Sequence, residues 1–375
     1  MGQRRCGRPG TILGRLLRGE VVSPAHSSDS RATLAGVAAV LIWASCISVA
    51  RLASESLGVF TSAAAIFLVA GAVATVVRAT RPGALAAMLS LPGRYLVWCG
   101  AMFVVCQIGL YGGLGVATDR LQVLEIAAVN YLWPALTLAL SLPILGWRAR
   151  PLPLALGTVL ALAGIVVATM DPAALSLRAT LGRAMSCPAP YLLALAGAVS
   201  WGVYSNLARR YAQGASADAV PLFLLASGVA LLVVRLFVHE HPVMGLRAAR
   251  ALVYAALLPA YGGYALWDIG VRRGDFALLS ALSYLIPVLS TFISCAVLRV
   301  QPSASLWAGV VMVTVGAVVC RLAFGRGTRQ DRTTETTERR SRNQREKLPR
   351  TKSALSVPKG HKATKRRNQG ERLSW

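Results

Sequence analysis

Two short segments, Asn130-Tyr131-Leu132-Trp133-Pro134 and Ser283-Tyr284-Leu285-Ile286-Pro287, place a tyrosine three residues before a proline inside long apolar stretches. Amide, phenol and indole groups in such positions can stack and hydrogen-bond, but they offer no strong nucleophile. At bilayer depth they are unfavourable against lipid and face a cavity or another helix. Each proline frees a backbone carbonyl one turn earlier and permits a bend. The two prolines stand 153 residues apart, so the chain reads as a duplicated membrane protein with a polar interior, an architecture that mostly belongs to transporters.

Helical spacing groups further candidates on common faces. Gln122, Glu125, Val129 and Trp133 share one face, with Asn130 about 60° further round. Gln107 and Tyr111 share another. Trp201, Tyr204, Ser205 and Arg209 fall together, and Trp43 with Arg51 matches Trp201 with Arg209 at an offset of 158. Tyr254, Tyr261, Tyr264 and Asp268 form an aromatic wall ending in a carboxylate. Ser280, Ser283, Tyr284, Pro287, Ser290, Thr291 and Ser294 make a polar stripe, which lines a wet path or bonds another helix. Glu125 and Asp268 are candidates for coupling transport to protons. Their structural alternatives are a hydrated carboxylate near a helix end for Glu125, and an interfacial i,i+4 pair with Arg272 for Asp268.

Covalent chemistry finds no support. The four histidines, His26, His239, His241 and His361, lie outside the apolar runs. His239-Glu240-His241 is weak as a metal site, because its i,i+2 spacing falls in a loop. No phosphate loop, metalloprotease motif, catalytic triad or dinucleotide fingerprint is present. The seven cysteines form no CxxC pair and suit apolar packing. No enzyme activity, cofactor or metal is expected.

Ten apolar runs must position these residues, at 32–52, 58–77, 95–117, 121–145, 152–170, 190–208, 218–238, 250–271, 276–298 and 304–323. Each is about the length that crosses a roughly 30 Å hydrocarbon core. With 55% hydrophobic residues and a mean hydropathy of +0.55, the chain is too apolar for a soluble globule. The net charge of +25 is concentrated at the ends. A basic extension occupies 1–31, and the tail over 324–375 carries sixteen Lys/Arg against five Asp/Glu from Arg326 onward. Both read as disordered, with anionic lipid headgroups as the sharper partner. Nucleic acid is not expected, since the tail has no aromatic residue before Trp375 to stack on bases. Loop arginines number nine on the predicted inner side and six on the outer, which with the basic ends favours both termini in the cytoplasm.

Five runs per half reverse the second half in the membrane, giving inverted repeats over 32–170 and 190–323. Tyr111-Gly112-Gly113 matches Tyr261-Gly262-Gly263, and Pro134 matches Pro287. Gly157 and Gly164 match Gly309 and Gly316 with the same seven-residue spacing, which suits close helix packing. The expected fold is all-α: ten transmembrane helices as two inverted five-helix repeats.

The runs Glu125-Ile-Ala-Ala-Val-Asn-Tyr-Leu-Trp-Pro134, Gly263-Tyr-Ala-Leu-Trp267 and Ser283-Tyr284 before Pro287 resemble the aromatic amino acid exporters of the EamA-type drug/metabolite transporter superfamily, as does Leu41-Ile-Trp43-Ala-Ser45. The resemblance covers about residues 32 to 323. It implies a bacterial inner-membrane bundle exporting aromatic and other neutral amino acids, and certain cationic compounds, through an aromatic-lined cavity. By position it assigns substrate contacts to Tyr131, Trp133, Trp201 and Trp267. Val105-Cys106-Gln107 stands where relatives offer larger aromatic or ionisable groups, and Asp268 where Asn is expected. The full candidate set adds Trp43, Gln107, Asn130, Tyr204, Tyr264 and Tyr284. The alternatives are a same-fold exporter of another small metabolite or a cationic drug and, in a different class, a membrane-embedded enzyme or scaffold.

Overall fold

The computed structural model describes residues 29–169, 177–215, 217–298, 301 and 304–324. The basic extension through residue 28, the tail from 325 and Arg299 lie outside the described residues, as do the side chains of Arg51, Arg120, Arg178 and Ser294.

Every described element is helical. Helix α1 (Ser30–Leu57) starts where Asp29 accepts the Arg31 N–H, and ends at Gly58, whose φ of 85° reverses the chain directly into α2 (Val59–Ala79). A short α3 (Ala84–Leu89) precedes a π-helical turn (Tyr95–Cys99) that continues into α4 (Gly100–Gly115). Asp119 then caps α5 (Arg120–Asn130) through the Gln122 N–H at 2.8 Å. The first Tyr-x-x-Pro copy forms the break between α5 and α6 (Trp133–Leu145). After α7 (Pro151–Thr169) and the polar α8 (Leu177–Ser186), the second half runs through α9 (Ala189–Ala212) and α10 (Val220–Leu236). Next come α11 (Leu246–Ala255), a π-helical stretch around Pro259 (Ala256–Gly263) and α12 (Tyr264–Arg273). Asp275 caps α13 (Phe276–Leu282) through the Leu278 N–H, and the second Tyr-x-x-Pro copy separates it from α14 (Leu285–Leu298). Helix α15 (Ala304–Ala323) is the last described.

Each of the ten apolar runs falls on a helix or a broken helix. By length and composition four helices can cross a membrane: Val59–Ala79, Tyr95–Gly115, Glu125–Leu145 and Ala304–Ala323. Joining Phe276–Leu282 to Leu285–Ile293 across a 44° bend makes five. The bend has a local cause. Pro287 has no N–H for the carbonyl of Ser283 and its ring crowds that carbonyl, and the turn before it tightens: Tyr284 and Ile286 donate to the Ala281 and Ser283 carbonyls, each three residues earlier. Leu41, Val76, Leu156, Val159, Val311 and Val318 remain exposed, the apolar exterior that a bilayer requires.

Glycines set the closest helix contacts. A Cβ on Gly71 of α2 would fall 2.8 Å from the Leu225 nitrogen of α10, and one on Gly228 of α10 would fall 2.7 Å from the Leu68 nitrogen of α2. Helices α7 and α15 meet the same way, Gly157 against the Gly316 carbonyl and Gly164 against that of Gly309. The glycines that sequence spacing assigned to close packing therefore pack against each other.

The ends of the α2–α10 pair are tied by arginines. Arg78, in the last turn of α2, pairs with Asp218 just before α10. Arg235, in the last turn of α10, donates to Thr61 Oγ1 at 2.6 Å, in the first turn of α2. There Glu240 supplies the carboxylate: it accepts from the Phe60 and Thr61 N–H groups at 2.9 Å and lies 3.2 Å from Arg235. The His-Glu-His loop thus uses its acid to cap a helix, where orphan amides and the helix dipole favour an anion.

Candidate functional site

The tryptophans that sequence analysis took from separate helices converge. Trp201 (α9) lies 5.0–6.1 Å, centroid to centroid, from Trp43 (α1), Phe103 (α4), Trp133 (α6), Tyr204 (α9), Tyr264 and Trp267 (α12). Most of these pairs are edge-on or tilted, the geometries that ring quadrupoles prefer. Phe67 of α2 and Phe223 of α10 extend the cluster through Tyr264 and Phe103. Seven helices therefore contribute rings to one place.

Polar groups enter the cluster at few points. The Trp43 indole donates to the Pro259 carbonyl at 3.1 Å, in the irregular π-helical stretch. Trp267 Nε1 lies 3.4 Å from Ser205 Oγ, and the Tyr264 hydroxyl 3.4 Å from Gln107 Oε1. Asp268 is wholly buried beneath the rings, where its Oδ1 accepts from Tyr95 at 3.1 Å and Tyr204 at 3.2 Å. Its Oδ2 lies 2.7 Å from Arg272 Nε. That N–H also points toward the Asp268 carbonyl at 3.3 Å, so the carboxylate contact is ionic rather than a well-aligned hydrogen bond. Arg272 is 1% exposed, and its Nη1 donates to the carbonyls of Ala212, Ala215 and Ala217. The expected i,i+4 pair is present, but it is sealed inside the protein instead of lying at an interface.

Glu125 also departs from a hydrated position. It is 4% exposed, pairs with Arg183 of α8 and accepts from the Tyr191 hydroxyl of α9. Hydrogen bonding to this carboxylate raises Arg183 above its ordinary pKa. Glu125 lines a cavity of about 510 Å³ together with Val129, Tyr131, Ile165, Tyr191 and Leu195. Tyr131 therefore faces this cavity, while Trp133, two residues on and so about 200° round the helix, enters the ring cluster. Asn130, the last residue of α5, is half-buried beside that break.

Tyr284 goes elsewhere. It is buried in a second core with Leu138, Val288, Leu306, Val313 and Cys320. The polar stripe around it is largely turned on its own helix: Ser280, Ser283 and Thr291 donate to the carbonyls of Phe276, Leu279 and Pro287 at 2.8–2.9 Å.

Two cavities thus compete as binding places. The larger is in the size range of small-molecule sites, but its lining is nearly all apolar and its one carboxylate is already paired. A recess of about 70 Å³ between Trp43, Phe67, Tyr111 and Tyr264 opens beside the rings, well below the roughly 300 Å³ at which such sites begin. The ring cluster holds the richer chemistry and is closed.

Apolar helices of spanning length around a buried aromatic core define an all-α, multi-pass membrane protein. The chain belongs to the EamA-like transporter family, whose pattern matches residues 189–322. It is 32% identical over 303 residues to a protein named aromatic amino acid exporter YddG from Salmonella typhimurium, covering 80% of this chain and 99% of the relative. A relative of the same name from Ancylobacter novellus is 33% identical over 300 residues, covering 79% and 98%. A protein of known crystal structure matches with a TM-score of 0.67 at 28% identity, over 79% of this chain and 98% of that one.

Proposed function

We propose that this protein exports aromatic or other neutral amino acids from the bacterial cytoplasm by alternating access, binding them among the rings around Trp201. The observation that carries this reading is the convergence of Trp43, Trp133, Trp201, Tyr204, Tyr264 and Trp267 with the buried amide of Gln107. Rings stack an aromatic side chain, and the polar groups receive the amino acid's other end. Tyr131 and Asn130 belong to the path rather than to the rings, and Tyr284 to the packing of the second core. Relatives named as aromatic amino acid exporters support the substrate class.

Ten membrane helices act as two inverted repeats, 32–170 and 190–323, with both termini and their basic segments on the cytoplasmic side, beside anionic headgroups. Support comes from reciprocal contacts. Leu68 and Gly71 meet Leu225 and Gly228, and Arg78 and Thr61 contact Asp218 and Arg235, all at an offset of 157. Exchanging the halves maps each of these contacts onto the other. Movement of one repeat against the other opens the rings to each side in turn.

The alternative of a cationic drug as substrate would rest on the ring faces alone, because the carboxylate that touches the rings, Asp268, is balanced by Arg272. Proteoliposomes loaded with labelled phenylalanine or threonine test the proposal. Efflux above empty vesicles is the expected result, and none for any amino acid would overturn it.

A further inference from the structure

Two of the buried groups in the ring cluster lack what their neighbours have. Gln107 is 1% exposed, and its Nε2 has no hydrogen-bond partner among the described residues. Trp201 is 5% exposed, and its Nε1 has none either. The indoles of Trp43 and Trp267 are both served, by Pro259 and Ser205. Both orphans neighbour Tyr264, whose hydroxyl reaches Gln107 and whose ring centroid is 5.6 Å from that of Trp201.

Both orphans are N–H donors. A buried donor without an acceptor is costly, so its complement is an acceptor that arrives with the ligand. A carboxylate accepts from two donors at once and forms the stronger, charge-assisted bonds. For an ammonium the cluster offers ring faces but no unpaired carboxylate. Asp268 Oδ1 is taken by Tyr95 and Tyr204 and its Oδ2 faces Arg272, while Glu125 pairs with Arg183.

We infer that Gln107 and Trp201 together form the carboxylate-binding subsite for the transported amino acid. The ammonium serves only as the ligand's internal counter-charge. Resting on the export reading, this assignment orders ligands by chemistry: an aromatic zwitterion binds best, an arylalkyl carboxylate next, and an arylalkyl amine last. The amine leaves both donors unmet and brings a cation that meets ring faces but no counter-charge.

Competition against labelled phenylalanine efflux reads that order, with unlabelled phenylalanine, 3-phenylpropionate and phenethylamine as the probes. In wild type, 3-phenylpropionate should compete and phenethylamine should not. Trp201→Phe keeps a ring and removes the N–H, and Gln107→Leu keeps the bulk and removes the donor. Each should raise the half-inhibitory concentration of phenylalanine and of 3-phenylpropionate by roughly tenfold, as losing one hydrogen bond to a charged group implies. Neither should change the response to the amine. Thermal stabilisation of the detergent-purified protein by the same three compounds reads binding without flux. Carboxylate-dependent stabilisation with no efflux would sink the export reading and leave the subsite standing. Phenethylamine matching 3-phenylpropionate in either assay, or no stabilisation by either carboxylate, would overturn the subsite.

Discussion

Gly71 and Gly228 are partners in a reciprocal contact: each faces the backbone nitrogen of a leucine, Leu225 or Leu68, that lies three residues before the other glycine. The leucine side chain lies as close as its nitrogen, but the backbone nitrogen cannot swing aside. Alanine at either position should therefore destabilise the protein by about 1–3 kcal/mol, the usual cost of overpacking. Gly93→Ala, with nothing within 4 Å of its added Cβ, should be close to neutral. Thermal unfolding in detergent compares the three. Tolerance at one glycine of the pair but not at the other would show that the contacts are not equivalent.

Asp268 and Arg272 share a buried ion pair but not equal duties. Arg272 also serves three backbone carbonyls, whereas an asparagine at 268 still accepts from Tyr95 and Tyr204. Arg272→Met should cost about 3–5 kcal/mol, as removing one member of a buried pair does. Asp268→Asn should cost less, about 1–3 kcal/mol. Equal losses in a denaturation assay would contradict this division of roles.

Trp133 meets Trp201 at 6.0 Å and Trp267 at 5.5 Å, so it walls the rings from the α6 side. Trp133→Ala should lower efflux about tenfold, on the order of one lost aromatic contact, with membrane insertion unchanged. Trp147, which packs on Phe276 and Phe324 instead, provides the control, and Trp147→Phe should transport normally. Wild-type flux in Trp133→Ala would remove Trp133 from the site.

Glu125 is held by Arg183 and Tyr191. A carboxylate so held is a tie between α5, α8 and α9, and Glu125→Gln should keep the wild-type response of efflux to an imposed pH gradient. Efflux measured with and without that gradient decides the matter. Loss of the response in the mutant would make Glu125 a coupling residue.

Helical faces singled out Trp133 and Trp201, the internal duplication added Trp43 and the family resemblance Trp267, and the four converge because an indole at bilayer depth has few other destinations. Helical periodicity missed Phe67, Phe103 and Phe223, since a phenylalanine in an apolar run looks the same whether it meets lipid or a ring. It grouped Tyr284 with the substrate contacts, although the 44° bend at that tyrosine turns its helix onto a different core. Glu240 looked like part of a weak metal loop because its true partners, the amides of Phe60 and Thr61, stand about 180 residues earlier and carry no side-chain signal. Breaks have a related cost for counting spans, since they cut apolar runs into helices too short to qualify on length alone.

The buried Asp268–Arg272 pair also bears on how the chain is made. A helix carrying both charges is a poor candidate to rest alone in lipid. All its named partners, Tyr95, Tyr204 and the carbonyls of Ala212, Ala215 and Ala217, precede it in the chain. During synthesis the acceptors and phenols therefore leave the ribosome before the charged helix does. The order of translation spares this helix a stay in hydrocarbon without its partners.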